Sequence, residues 1–231
     1  KMKLAWQQIP STVISDILCQ NSLDGVVIDT EHSCFNPETL FSCIQIITLN
    51  KKKCFVRLTE VNKTVIRQCL DAGATGLIFS MIECQKQADK VKECAIFPEK
   101  GGARGLGLVR ENLWGLSEKL TSNPPLLIAQ IETKQGVDNL QSIKEKNVFD
   151  YFMIGPYDLS ASLGIPADFS NSSYIEEVEK IKNIIGVEKM AVHIPKNIKE
   201  ELKKYKNFSI IAIGMDTTFL IEKYQEAGKY A

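Results

Sequence analysis

The feature that most constrains the fold of this 231-residue chain is an alternation of short apolar strands with helical segments, repeated eight times. The predicted strands cover residues 4–8, 25–29, 53–58, 76–79, 126–131, 151–154, 190–193 and 210–214. The predicted helices cover residues 12–20, 37–47, 63–72, 85–94, 137–146, 174–185, 198–205 and 217–227. Strands that are apolar along their whole length and alternate with helices indicate a parallel sheet buried on both faces.

Eight strand–helix units predict an α/β protein with a (β/α)₈ TIM barrel, formed by one domain over residues 1–231. A doubly wound open sheet is the structural alternative. No Pro/Gly-rich linker divides the chain, and the one long irregular stretch covers residues 98–125. Long loops inside a compact domain are often functional.

Composition excludes several classes of partner. Lys+Arg and Asp+Glu both total 28, so there is no general basic charge to attract nucleic acid. No apolar stretch approaches the roughly 20 residues of a membrane span, and no signal-peptide pattern is found. The seven cysteines form no CxxC pair, which favours reduced thiols over disulfides or a zinc site. We therefore expect a cytoplasmic protein.

Polar side chains follow the apolar part of most predicted strands. The stretch "DGVVIDTEHS" (residues 24–33) begins as a buried strand and ends in two carboxylates and a histidine. TIM barrels place their active sites at the carboxyl ends of the strands, so these side chains are expected to share one mouth. The polar residues at strand ends are Asp29, Glu31, His32, Arg57, Gln130, Glu132, Asp158, His193 and Asp216. For His193 we favour a satisfied barrel residue, and for Asp216 a helix N-cap.

Glu132 and Asp158 follow adjacent predicted strands and predict a metal site. Two carboxylates that face one cavity repel each other unless a cation or a proton lies between them. Oxygen ligands suit Mg²⁺ or Mn²⁺, whereas zinc would require more His or Cys. A carboxylate pair neutralised by Arg or Lys is the alternative. No lysine lies in the predicted mouth for Schiff-base chemistry, and no glycine-rich phosphate loop follows the last two strands.

Several motifs together resemble the HpcH/HpaI aldolase family of metal-dependent class II pyruvate aldolases. They are "DGVVIDTEHS", "VRLTEVN" followed by "LDAGATGLI", "GGARGLG", "AQIET", "FMIGPYDLSASLG", "VHIP" and "IIAIGMDTTFL". Each motif is weak alone, but their order and spacing are specific. The resemblance extends from about residue 9 to residue 220. It implies that the protein cleaves a 4-hydroxy-2-oxo acid to pyruvate and an aldehyde, or forms the acid from them. It also implies a divalent metal cofactor, Mg²⁺, Mn²⁺ or Co²⁺, and assembly into a homohexamer.

The resemblance also implies roles for individual residues. Glu132 and Asp158 match the metal ligands. Arg57 matches the arginine that binds the pyruvate carbonyl oxygen and stabilises the enolate. His32 matches the general base, which an acid in the "LDAG" motif, here Asp71, orients.

The remaining implied contacts concern substrate binding. Gln130 is expected beside the metal, and the backbone of Gly155, Pro156, Tyr157 and Asp158 is expected to receive the pyruvate carboxylate. The family usually has Ala where this chain has Tyr157, so the acceptor pocket is expected to differ. The alternatives are a CoA-ester C–C lyase of the citrate lyase β-like type, a decarboxylase or enolate-adding synthase, and a non-catalytic barrel that binds a 2-oxo acid.

Overall fold

Eight parallel strands form a closed barrel in chain order in the computed structural model, which describes residues 1–117 and 123–230. The last strand pairs with the first, which excludes an open sheet and confirms the predicted (β/α)₈ barrel. The strands are β1 Met2–Gln7, β2 Gly25–Asp29, β3 Lys53–Leu58, β4 Gly76–Phe79, β5 Leu126–Ile131, β6 Tyr151–Ile154, β7 Met190–Ile194 and β8 Ile210–Ile213.

The helices lie between the strands and cover the outside of the barrel. They are α1 Thr12–Cys19, α2 Pro37–Leu49, α3 Lys63–Ala72, α4 Gln85–Ala95, α5 Lys134–Asp138, α6 Leu140–Glu145, α7 Pro156–Ser162, α8 Ser172–Ile185, α9 Ile198–Lys204 and α10 Asp216–Ala227. Asn62 caps α3 through its side chain, and Gly73 ends that helix with a left-handed φ of 106°.

Two regions differ from the sequence prediction. The helix predicted at 137–146 is two short helices that meet at Asn139. The helix α7 was not predicted, because Gly155–Pro156 resembles a turn, whereas proline is in fact favourable in the first turn of a helix. The described part of the stretch 98–125 contains two 3₁₀ segments, Pro98–Lys100 and Arg110–Gly115, and its residues 118–122 lie outside the described residues.

The barrel interior explains why polar groups gather at one end. One apolar cluster fills the interior and consists of Leu4, Trp6, Val27, Phe55, Ile78, Ile128, Met153, Ala191, Ile210 and Ala212. Successive side chains of a strand point to opposite faces, so a residue two positions after an interior residue also points inward. The residues that follow the interior series at this spacing include Asp29, Arg57, Gln130 and His193. The polar mouth is therefore the continuation of the apolar core.

Two further properties concern the chain as a whole. Among the helices in the described ranges, none combines the length and apolarity that would be needed to cross a bilayer. All seven cysteines are free, and Cys34 is exposed, unlike the buried majority.

Candidate active site

Arg57 is held rigidly at the end of β3 by Asp29 at the end of β2. These two residues are register partners in the parallel pair. The Arg57 Nε and Nη2 atoms donate to the two oxygens of Asp29 at 2.9 and 2.7 Å. A two-pronged contact of this kind fixes the plane of the guanidinium as well as its position. Arg57 therefore keeps one orientation, with its Nη1 side left for other partners.

Both oxygens of Asp29 are surrounded by hydrogen-bond donors. The indole N–H of Trp6 and the side-chain amide of Gln8 donate to Oδ2, at 3.3 and 3.1 Å. The backbone N–H of Glu31 donates to Oδ1 at 3.0 Å. Burial alone would raise the pKa of Asp29, but the contacts with Arg57 and the other donors lower it below the usual value. Asp29 is therefore ionised, and its oxygens bind both Arg57 and the loop that follows β2.

Glu31 and His32 extend this group towards the rim. Glu31 Oε2 lies 2.9 Å from Arg57 Nη1 and accepts a hydrogen bond from Ser80 Oγ at 2.8 Å. His32 Nε2 lies 4.0 Å from the same Glu31 oxygen, and the His32 side chain is 61% exposed. His32 is thus accessible to a ligand and to water, with a carboxylate beside it.

Glu132 is the buried carboxylate on the opposite side of the mouth. It is 1% exposed and follows β5. It accepts hydrogen bonds from the Met81 backbone N–H at 2.7 Å and from the Gln130 side-chain amide. Burial raises the pKa of Glu132 to about 7, with further contributions from the negative charges of Glu31 and Asp158. No cation compensates this buried carboxylate among the described residues.

The surroundings of Glu132 fit a divalent cation that prefers oxygen ligands. Asp158 lies in the first turn of α7 and lines the pocket. The Gln130 Oε1 atom is buried without a hydrogen-bond partner in the described structure. The described residues contain no group of three or more His, Cys, Asp or Glu that could hold a metal. Two carboxylates with substrate oxygens and waters are the kind of ligand set that Mg²⁺ commonly uses.

A glycine makes room for this arrangement. A Cβ atom at Gly155 would lie 2.6 Å from the Cβ of Glu132 and 3.1 Å from Nε2 of Gln130, and it would overlap Glu132 Oε2. Only a residue without a side chain therefore fits between the buried carboxylate and the start of α7.

A cavity of about 570 Å³ joins most of the predicted residues. It is lined by His32, Arg57, Gln130, Gly155, Pro156, Tyr157 and Asp158. Glu132 joins this group through its hydrogen bond to Gln130. The Tyr157 side chain is 54% exposed and packs edge-on against Phe169, with ring centroids 5.1 Å apart. The cavity is much larger than pyruvate, so it has room for a second reactant.

Asp71 lies elsewhere in this chain. Helix α3 begins near the mouth and runs back for ten residues, so Asp71 lies near the opposite end of the barrel. Its carboxylate accepts a hydrogen bond from Arg104 at 2.7 Å. No hydrogen bond or ion pair joins Asp71 to His32 in the described part of the chain. The residue beside His32 is Glu31, and the predicted role of Asp71 has no support from contacts within one chain.

Sequence reasoning gave no role to three residues that build the site. Asp29 and Glu31 were identified only as polar strand ends, and Trp6 was not singled out. The sequence does indicate the contact between Asp29 and Arg57, because the two residues lie at the ends of adjacent predicted strands. Asp216 is predicted as the N-cap of α10, but it is the first residue of that helix, after the N-cap Met215. Its oxygens accept the Thr217 backbone N–H at 2.8 Å and the backbone N–H groups of Gln8 and Ile9 at 2.9 Å, so it fastens the end of β1 to the start of α10.

Comparison with known proteins identifies the family of this chain and agrees with the barrel fold. The family model described as HpcH/HpaI aldolase/citrate lyase matches residues 6–222. The 2-keto-3-deoxy-L-rhamnonate aldolase of Klebsiella pneumoniae is 31% identical over 220 residues, which are 92% of this chain and 82% of that protein. The enzyme of the same name from Salmonella gallinarum is 30% identical, with 94% and 84% coverage. A crystal structure of a family protein from Burkholderia cenocepacia superimposes with a TM-score of 0.89 at 23% identity and covers 99% of this chain and 93% of that one.

Proposed function

Because this chain belongs to the HpcH/HpaI aldolase/citrate lyase family and is a carbon–carbon lyase, we propose that it cleaves a 4-hydroxy-2-oxo acid to pyruvate and an aldehyde. The observation that carries this proposal is the orientation of Arg57, fixed by Asp29 and Glu31 in the same pocket as Gln130 and Asp158. A cation whose position is set in advance suits an oxygen that gains negative charge during a reaction. The substrate is proposed to be a hydroxylated sugar acid, because the named relatives act on 2-keto-3-deoxy-L-rhamnonate.

Glu132 and Asp158 are the residues proposed to hold a divalent cation, with Gln130 beside it. When bound, the cation would supply Lewis-acid polarisation of the substrate's keto group. Glu132 would hold the cation as a carboxylate, so the proton that its raised pKa favours would have to leave first. The turn from Gly155 to Asp158 is the proposed place of the pyruvate carboxylate.

Arg57 and His32 perform the proposed bond cleavage. His32 removes the proton from the 4-hydroxyl group, and the C3–C4 bond breaks as the carbonyl of the aldehyde forms. The electron pair of that bond forms the C2–C3 double bond of the pyruvate enolate, whose oxygen receives hydrogen bonds from Arg57. Protonation at C3 then gives pyruvate. Removal of one preorganised donor of this kind typically lowers kcat by about 10²–10³-fold.

The test is a lactate-dehydrogenase-coupled screen of 4-hydroxy-2-oxo acids on chelated protein, with Mg²⁺, Mn²⁺ or Co²⁺ added back. Pyruvate release that requires added metal supports the proposal. The double variant Glu132→Gln plus Asp158→Asn should lose this activity. The matched control, Glu176→Gln plus Asp89→Asn, changes the same residue types at exposed positions on α8 and α4 and should keep it.

Two results would argue against the proposal. Metal-dependent pyruvate release that survives in the double variant would refute the site assignment. Release of acetyl-CoA or acetate from CoA esters or citrate, with no pyruvate from any 4-hydroxy-2-oxo acid, would instead favour a lyase of the citrate lyase type.

A further inference from the structure

His193 occupies a fixed position in the cavity beyond Arg57. It lies on β7, two residues after the interior residue Ala191, and it lines the cavity. Its ring stacks on Trp6, with ring centroids 4.0 Å apart and planes 7° apart. The Cζ atom of Arg57 lies 4.9 Å from the Trp6 ring. Trp6 therefore contacts both the Arg57 guanidinium and the His193 imidazole.

The hydrogen bond of His193 determines which of its ring nitrogens carries the proton. Nε2 lies 2.9 Å from the backbone oxygen of Gly214. A carbonyl oxygen only accepts hydrogen bonds, so Nε2 must be the donor. Burial lowers the pKa of His193 to about 4, which keeps the ring neutral near pH 7. A neutral imidazole with its proton on Nε2 has a lone pair on Nδ1.

This Nδ1 atom has no hydrogen-bond donor in the described residues. Gln8, which also lines the cavity, makes its side-chain hydrogen bonds to other groups. Gln8 Nε2 donates to Asp29 at 3.1 Å, and Gln8 Oε1 accepts from Thr217 at 3.0 Å. The cavity therefore contains an acceptor that is rigidly held and unused by the protein.

We propose that His193 is a specificity-determining residue whose Nδ1 atom accepts a hydrogen bond from a hydroxyl group of the acceptor aldehyde. This inference rests on the proposed function, in which the second reactant is a hydroxyaldehyde, and adds the residue that recognises its hydroxyl group. An aldehyde without that hydroxyl group leaves Nδ1 without a donor in a partly desolvated place, which disfavours its binding. A histidine with only a structural role would affect all aldehydes alike.

The experiment compares glycolaldehyde with acetaldehyde in aldol addition to pyruvate, because the two aldehydes differ by one hydroxyl group. His193→Phe keeps an aromatic ring against Trp6 and removes both nitrogens. We expect it to lower kcat/KM for glycolaldehyde relative to acetaldehyde by about five-fold. His193→Asn keeps an oxygen acceptor close to the position of Nδ1 and should restore most of the preference.

A second measurement separates this inference from the proposed function. Exchange of the pyruvate methyl protons in D₂O, followed by ¹H NMR with Mg²⁺ present, reports enolate formation without any aldehyde. We expect exchange to persist in both His193 variants, which also shows that the site is folded.

The outcomes distinguish the two hypotheses. If exchange persists in His193→Phe while kcat/KM falls by the same factor for both aldehydes, the role of His193 alone is overturned. Equal kcat/KM for the two aldehydes in the wild type would do the same without a variant. Absence of both exchange and addition in the wild type would overturn the proposed function, and this inference with it.

Discussion

Replacing Asp29 with asparagine removes the buried charge that holds Arg57 and keeps the shape of the side chain. Asparagine is a poor substitute here, because Trp6, Gln8 and Arg57 donate to one oxygen and Arg57 and the loop backbone donate to the other. In either orientation, the new NH₂ group faces donors. The variant therefore leaves Arg57 with Glu31 as its one remaining carboxylate partner among the described residues and adds an unfavourable contact between donors.

The expected loss of stability follows from this burial. Asp29 is fully buried and the Arg57 side chain is 10% exposed, so water screens the pair little. Removal of one member of a buried ion pair typically costs about 3–5 kcal/mol in free energy of unfolding. The lowered pKa of Asp29 means that its contribution is present above its unfolded pKa and is lost as the pH falls through the folded value. The difference between wild type and variant should therefore shrink below about pH 4.

The assay is urea unfolding at neutral and acidic pH, together with kcat for pyruvate release. We expect kcat to fall by about 10²–10³-fold, because the orientations of both Arg57 and the His32 loop depend on Asp29. The matched control is Asp138→Asn, which also changes a carboxylate bound to two cations, Lys134 and Lys180, but at the surface. It should leave the urea midpoint almost unchanged. A similar small effect for Asp29→Asn on both stability and kcat would refute the reasoning.

Three further predictions concern the other side of the mouth. Because the pKa of Glu132 is raised to about 7, a proton competes with the metal for this carboxylate below that pH. The Mn²⁺ affinity measured by calorimetry should therefore fall about tenfold for each pH unit below about 7. A constant affinity between about pH 5.5 and 8 would contradict this. Gly155→Ala places a Cβ atom 2.6 Å from the Cβ of Glu132 and should weaken Mn²⁺ binding by about tenfold. The matched control is Gly105→Ala, whose Cβ would have no atom within 4 Å, and it should leave Mn²⁺ binding unchanged. Tyr157→Ala removes the ring that packs on Phe169. It should raise kcat/KM for bulky aldehydes relative to acetaldehyde by about tenfold and leave the exchange of pyruvate protons unchanged. An unaltered preference among aldehydes would show that Tyr157 does not border the acceptor.

The barrel itself was predictable, because apolar strands and helical segments repeat with short connections. Five strands, including Gly25–Asp29 and Lys53–Leu58, have the predicted bounds. The seven-residue helix Pro156–Ser162 was not predictable from periodicity, since it is short and begins with a Gly-Pro pair that resembles a loop. The two 3₁₀ segments after α4 carry left-handed residues such as Leu113 and Trp114, which depend on tertiary contacts rather than on local propensity.

The candidate site was predictable where strand ends carry it. Arg57, Gln130 and Asp158 line one cavity as the pattern predicts. The contact between Asp29 and Arg57 required the register of two strands, which sequence reasoning did not use. The position of Asp71 required the direction of a helix, and the free nitrogen of His193 required knowledge of the Gly214 carbonyl. Contacts between side chains from distant segments are therefore what the sequence leaves open.

The carboxylate that ends β2 links the proposed enolate-binding cation and the proposed base into one unit, since its oxygens hold both Arg57 and the backbone that carries His32. His193 on β7 and Tyr157 on α7 make no hydrogen bond to that carboxylate in the described chain. Substitutions of His193 on β7 or of Tyr157 on α7, unlike substitutions of the proposed metal ligand Asp158, can thus alter the choice of reaction partner while the bond-breaking apparatus stays intact. A protein divided in this way can acquire new substrates during evolution without first losing its chemistry.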